Sequence, residues 1–252
     1  MTKWAFDFTG QKVVITGGSR GLGFEMASAF SALGAEVIIA SRKLESCQTA
    51  AAKISAETGG TVHAYALHAA DWDQCTDFAH KVWEEHGNID VLVNNAGSSP
   101  LYDKVSEISE ELYDKVVGLN LKGPFRLAAL LGEKMAEAGG GAIVNISSIA
   151  SLNPKPDTVP YSAAKAGLNA TTVALAHTYG PDVRVNAVVP GTFLTDISQH
   201  WDQEAFAKRA QNFAAKRGGE PEEIVGAVLY LSSSMAGYTT GALLTVDGGA
   251  SK

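Results

Sequence analysis

The chain has 252 residues, of which 46% are hydrophobic and 19% charged, enough apolar surface to exclude intrinsic disorder as the main state. With 20 Lys and Arg against 27 Asp and Glu, the formal net charge is −7, which disfavours nucleic acid as a general partner. Cys47 and Cys75 form no CxxC pair, Met1–Gly10 holds no apolar signal core, and no apolar run reaches the roughly 18 residues of a membrane span. A cytoplasmic setting with no membrane partner is expected.

Short β-branched runs alternate with longer amphipathic segments along the chain. Strand Lys12–Thr16 precedes helix Gly21–Leu33, and strand Glu36–Ala40 precedes helix Lys43–Glu57. Val62–Leu67 leads to helix Gln74–His86, with Asp71 or Asp73 as its N-cap, and Asp90–Asn94 leads to one long helix, Glu110–Met135. Ala142–Ser147 is followed by helix Tyr161–Tyr179, and Arg184–Val189 by helix Glu222–Ser232, whose first turn reads Glu220-Pro221-Glu222. Leu243–Val246 is the last strand. The strands read as continuous apolar runs, as strands buried on both faces do. The expected fold is α/β, a Rossmann-like doubly wound, mostly parallel seven-stranded sheet with helices on both faces, in one domain over 1–252.

Thr192–Gly219 breaks the alternation. It is helical in composition, has no strand partner, and is expected as a lid-like insertion over the carboxyl end of the sheet, where ligands bind. Its Trp201, Phe206 and Phe213 either line a substrate pocket or pack the insertion onto the sheet.

There are 26 glycines without a collagen triplet period, so their placement matters. The first strand runs into Gly17-Gly18-Ser19-Arg20-Gly21-Leu22-Gly23 and then a helix, whose free N–H groups suit a pyrophosphate. An NAD site usually places an acid after the second strand, for the ribose 2′-hydroxyl. This chain has Ser41, Arg42 and Lys43 there. The guanidinium fork of Arg42 suits a 2′-phosphate, with Arg20 within reach of the same group; otherwise Arg42 and Lys43 begin a solvated helix face. Further on, Tyr161-Ser-Ala-Ala-Lys165 places a phenol and an ammonium one helical turn apart. A nearby ammonium lowers a phenol's pKa, so the pair suits general acid–base work.

Seven elements together resemble the short-chain dehydrogenase/reductase family over essentially the whole chain, and they come in the family's order. They begin with Thr16-Gly17-Gly18-Ser19-Arg20-Gly21-Leu22-Gly23 and Asn94-Asn95-Ala96-Gly97, followed by Asn120 in Gly118-Leu-Asn-Leu and by Ile146-Ser147-Ser148. Tyr161-x-x-x-Lys165, Pro190-Gly191-x-x-x-Thr195 and Val246-Asp247-Gly248-Gly249 complete them. The resemblance implies a catalytic set of Asn120, Ser148, Tyr161 and Lys165. Tyr161 would exchange the proton, Ser148 would bond the reacting oxygen, Lys165 would lower the Tyr161 pKa and bond the nicotinamide ribose, and Asn120 would hold a water linking Lys165 to solvent. It further implies cofactor contacts from Gly17, Ser19, Arg20, Gly21, Leu22, Gly23, Ser41, Arg42 and Lys43, from Asn95, Ala96 and Gly97, and from Pro190, Gly191, Phe193 and Thr195.

One register departs from the family. His68 and Ala69 stand where Asp-Val usually faces the adenine, and His68 either contacts that ring or merely ends the strand. His63, His80, His86, His177 and His200 show no zinc spacing, so no metal is expected. The expected protein is an NADP(H)-dependent oxidoreductase interconverting a carbonyl and a secondary alcohol. An NAD(H)-dependent alcohol dehydrogenase and a non-catalytic cofactor-binding member are the alternatives. The partners expected are a small carbonyl or alcohol substrate and further copies of the chain. The resemblance implies a tetramer or dimer, and Ala163, Ala164, Gly167, Ala170 and Ala174 either allow close helix approach or pack on the sheet.

Overall fold

The computed structural model describes residues 5–196, 198 and 202–250. All the expected strands form: β1 Lys12–Thr16, β2 Glu36–Ser41, β3 Val62–Ala66, β4 Val91–Asn94, β5 Gly141–Ile146, β6 Val183–Pro190 and β7 Leu243–Val246. They make one sheet in the order β3-β2-β1-β4-β5-β6-β7, and every pairing is parallel. Parallel neighbours need crossovers, supplied by α1 Gly21–Ala32, α2 Leu44–Thr58, α3 Trp72–His86, α4 Glu110–Val117, α5 Gly123–Glu137, α6 Val159–Tyr179, α7 Gln203–Ala210 and α8 Val225–Ser232. The fold is a single Rossmann-like domain, and none of its described helices is long and apolar enough to cross a membrane.

Side-chain alternation along β1 builds two cores. Val13 and Ile15 pack on one face with Met26, Phe30 and Val228, and Val14 on the other with Phe78, Val82 and Leu131. These side chains are buried, each stabilising the fold by roughly 1.5–3 kcal/mol. Continuous burial holds only for the central strands. Most of β3 is half-buried and Leu243 of β7 is 37% exposed, because each is an edge with a single neighbour.

Helix boundaries follow their caps. The Asp71 carboxylate accepts the Gln74 N–H at 2.9 Å, making Asp71 rather than Asp73 the N-cap of α3. Glu220 and Glu223 form a reciprocal capping box on a 3₁₀ turn, Pro221–Ile224, that leads into α8. The single helix expected over Glu110–Met135 is instead α4 and α5 joined through a π-turn, Gly118–Lys122. The Asn120 amide donates to the carbonyl of Val116, four residues back, at 2.9 Å. That carbonyl is the acceptor a regular helix would give to Asn120's own N–H, so the side chain competes with the helix. The insertion's two ends are joined by a bridge between Phe193 and Gly219, and α7 is its helical part. His200 and Trp201 lie outside the described residues.

Candidate active site

The chain reverses its winding between β2 and β4, on either side of β1, the point where doubly wound sheets bind ligands. The carboxyl ends of the strands open there into a cleft of about 1580 Å³. Every residue expected to act or bind lines it except Asn120, which is fully buried behind the wall. Phe206 and Phe213 of the insertion line it too, and Phe213 is also buried against the fold, so both expected roles for the aromatics are met.

The floor is set by the turn after β1. Gly17 has φ +70°, and a Cβ on Gly23 would sit 2.2 Å from the Gly17 carbonyl oxygen, so the turn closes only with glycine at that position. The Asn95 amide bonds the carbonyls of Thr16 and Gly17 at 2.9 and 3.2 Å, and the Thr16 hydroxyl accepts from the N–H groups of Asn95 and Ala96 at 3.0 Å each. These bonds fasten the ends of β1 and β4 together. Helix α1 starts at this floor without a side-chain cap, so its first N–H groups face the cleft. Gly23→Ala is expected to destabilise the fold by about 1–3 kcal/mol and to weaken dinucleotide binding, checked by denaturant unfolding and a fluorescence titration with NADPH.

Along the outer wall the three cations behave differently. Arg20 is held by Asp196 at 2.8 Å, where the sequence had suggested that it joins Arg42. Arg42 and Lys43 are exposed at the end of β2. Ser41 shares a hydrogen bond of 2.9 Å with the buried Cys47 thiol. His68 lies on the wall just past β3, its backbone N–H donating to the Gln74 side chain at 3.1 Å.

At the inner end, α6 carries Tyr161 and Lys165 on one face, with the Lys165 ammonium 5.8 Å from the centre of the Tyr161 ring. Ser148 bonds the phenol, whereas Ser147 donates to Asn169 at 2.6 Å. The two adjacent serines are thereby separated into one that faces the reacting centre and one that ties α6 to β5. Lys165 is 2% exposed and donates to the Ile146 carbonyl at 2.7 Å. Burial brings its pKa down to about 7. Burial also pushes the Tyr161 phenol up, against the downward pull of its hydrogen bond with Ser148. Desolvation is the larger of these two effects, and the lowering expected from Lys165 is not among them.

Asn120 donates to the carbonyls of Ser98 and Val116, while its Oδ1 is buried with no partner among the described residues. A Cβ on Gly97 would lie 2.8 Å from that oxygen and 3.5 Å from the Lys165 ammonium, so glycine there leaves room between the two groups.

The family model described as enoyl-(acyl carrier protein) reductase matches residues 17–251. L-rhamnose 1-dehydrogenase (NAD(P)(+)) of Azotobacter vinelandii is 37% identical over 244 residues, covering 94% of this chain and 95% of that protein. A short-chain type dehydrogenase/reductase from Mycobacterium marinum superposes with a TM-score of 0.90 at 30% identity, over 97% of each chain. The chain belongs to the short-chain dehydrogenase/reductase family. L-sorbose reductase from Gluconobacter frateurii, in a structure complexed with NADPH and L-sorbose, superposes with a TM-score of 0.91 at 29% identity, over 98% of each chain.

As a short-chain dehydrogenase/reductase the protein is an oxidoreductase of CH–OH or carbonyl groups. Several cleft residues carried no sequence signal. Asn153, Lys155 and Asp157 follow β5, and Arg209 and Asn212 lie in and just past the last turn of α7 within the insertion; together they add polar groups to the cleft. No motif spacing links them, because they meet only through the fold.

Proposed function

We propose that this short-chain dehydrogenase/reductase is an NADP(H)-dependent enzyme that interconverts a ketone or related carbonyl and a secondary alcohol. The observation that carries this reading is the hydrogen-bonded Ser148–Tyr161 pair beside a buried lysine, set in the same cleft as an uncapped helix N-terminus.

The residues present fit a dinucleotide. The uncapped start of α1 offers N–H groups to a pyrophosphate, with Gly17, Ser19, Arg20, Gly21, Leu22 and Gly23 around it. Ser41, Arg42 and Lys43 would take the 2′-phosphate, while His68, Ala69, Asn95, Ala96 and Gly97 would line the adenosine side. Pro190, Gly191, Phe193 and Thr195 would hold the carboxamide. When bound, the nicotinamide supplies or takes up the hydride. Tyr161 gives its proton to the carbonyl oxygen in reduction and takes it back in oxidation, while Ser148 bonds that oxygen as charge develops on it. Lys165 bonds the ribose, and the unpartnered Oδ1 of Asn120 holds a water that links Lys165 to solvent. Residues 192–219 act as the substrate lid.

A polyhydroxylated substrate suits the polar groups that Asn153, Lys155, Asp157, Arg209 and Asn212 bring to the cleft, and relatives named for L-rhamnose and L-sorbose support it. A panel of sugar and simple ketones, followed by NADPH oxidation, tests the reaction; no turnover with any carbonyl would sink it. Arg42→Ala is expected to raise KM for NADPH roughly 10–100-fold and leave KM for NADH nearly unchanged, the loss of one charge-assisted contact. A wild-type preference for NADH would overturn the cofactor assignment.

A cytoplasmic homo-oligomer is the remaining part of the proposal. Both thiols are free and buried, as a reducing compartment allows. On α6, Ala163, Ala166, Ala170 and Ala174 are exposed beside Val173, an apolar face of small residues that suits close approach of a second copy. Of the small residues singled out in the sequence, Ala164 instead packs inward.

A further inference from the structure

We propose that Glu36, His63 and His86 form a zinc-binding site at the amino-terminal edge of the sheet. The β2–β3 register, Ile38 against His63, puts Glu36 and His63 on the sheet face that Ile38 shares with α3. His86 is the last residue of α3 and closes the group. Glu36 Oε1 lies 2.9 Å from His86 Nδ1 and 3.1 Å from His63 Nε2, and the three ligand atoms all fall within 4.8 Å of one another. Tetrahedral zinc bound at about 2.0–2.1 Å holds its ligand atoms roughly 3.3 Å apart, so the two contacts of Glu36 need only a slight lengthening and the two imidazoles need only a side-chain adjustment within their 4.8 Å limit.

A count of protons points to a cation at this position. Tyr65 has one hydroxyl proton, and the Glu85 carboxylate, which only accepts, lies 2.5 Å from it. The Tyr65 oxygen must then accept from His86 Nε2–H, at 2.7 Å. That fixes the tautomer of a neutral His86 with a bare Nδ1, aimed at a carboxylate oxygen 2.9 Å away. Two lone pairs do not face each other at that distance unless a positive centre lies between them. A proton on Nδ1 meets the condition for this pair. A metal ion meets it and also uses the second imidazole, which converges on the same oxygen.

The surroundings suit a metal. The chain His86–Tyr65–Glu85 is the outer hydrogen-bond relay that orients a ligating imidazole and raises its basicity. Lys12 donates to the His86 carbonyl and anchors the end of α3. Lys81 lies over the Tyr65 ring, with its ammonium 3.9 Å from Glu85. The His86 side chain is 8% exposed, but His63 and Glu36 are 36% and 32% exposed, which leaves an entry path and a fourth position for water. Two imidazoles and one carboxylate suit zinc among available divalent ions. The ion would fasten β2, β3 and α3 together far from the cleft, so its effect is on stability.

The test uses the untagged full chain, stripped with chelator and titrated with zinc chloride by calorimetry and by thermal unfolding. Binding of one zinc per chain is expected, with Tm rising by roughly 5–10 °C at zinc a hundredfold above Kd. His63→Gln and Glu36→Gln, both at half-exposed positions, are expected to weaken zinc binding at least tenfold and leave NADPH binding unchanged. Cobalt(II) in place of zinc should give tetrahedral ligand-field bands that both variants lose. No zinc uptake by the wild type would overturn the proposal, as would uptake by either variant equal to that of the wild type. So would NMR showing His86 protonated on both nitrogens in the presence of excess zinc.

Discussion

Replacing Tyr161 with Phe is expected to lower kcat for carbonyl reduction roughly 10²–10⁴-fold, the usual contribution of a positioned general acid. The substitution removes one oxygen and keeps the ring, so the packing of α6 and the cleft shape persist. NADPH affinity should therefore change by no more than a few-fold in a fluorescence titration. The direction of the Tyr161 pKa shift sets a second expectation. Burial pushes the phenol above its ordinary value, so it is protonated throughout the neutral range and ready to act as an acid. Reduction in the wild type should hold level across neutral pH, while alcohol oxidation, which needs the phenolate, should climb as pH rises. A variant with wild-type turnover would remove Tyr161 from the mechanism. An oxidation rate already level across neutral pH would show that the cofactor-bound site offsets the desolvation seen here.

The β-branched runs marked all the strands, the glycine turn could be placed by its position between the first strand and the first helix, and Ser148, Tyr161 and Lys165 were placed by the family pattern that they resemble. Edge exposure of β3 and β7 was not readable, since it depends on which strand lies next to which. The π-turn was hidden because Asn120 looks like any polar helix residue until its amide takes the Val116 carbonyl. The Arg20–Asp196 pair joins residues 176 positions apart. Glu36, His63 and His86 lacked zinc spacing for the same reason: two strands and a helix end converge only in three dimensions. The Tyr-x-x-x-Lys spacing made the proximity of phenol and ammonium readable, but not the burial that raises the phenol.

Lys165→Met is expected to abolish most activity and to change how stability depends on pH. In the folded chain Lys165 is buried with a carbonyl for a partner, and its pKa falls from 10.5 to about 7. Between those two values the unfolded chain binds more protons than the folded one, so this residue makes stability rise with pH over that window. Below about pH 7 the folded state carries the full penalty of the buried ammonium. Methionine has a similar stem and no charge, so the variant lacks this dependence. Relative to the variant, the wild type should gain on the order of 2–3 kcal/mol between pH 6 and pH 9, read from urea unfolding of both chains. The lost bond to Ile146 is an offset that does not change with pH, which makes the change in the gap, rather than its size at one pH, the informative quantity. A constant gap would mean that Lys165 stays charged in the fold at both pH values. A narrowing of the predicted sign, together with lost turnover, would mean that the lysine weakens the fold near neutrality and is explained by the chemistry of the cleft rather than by packing.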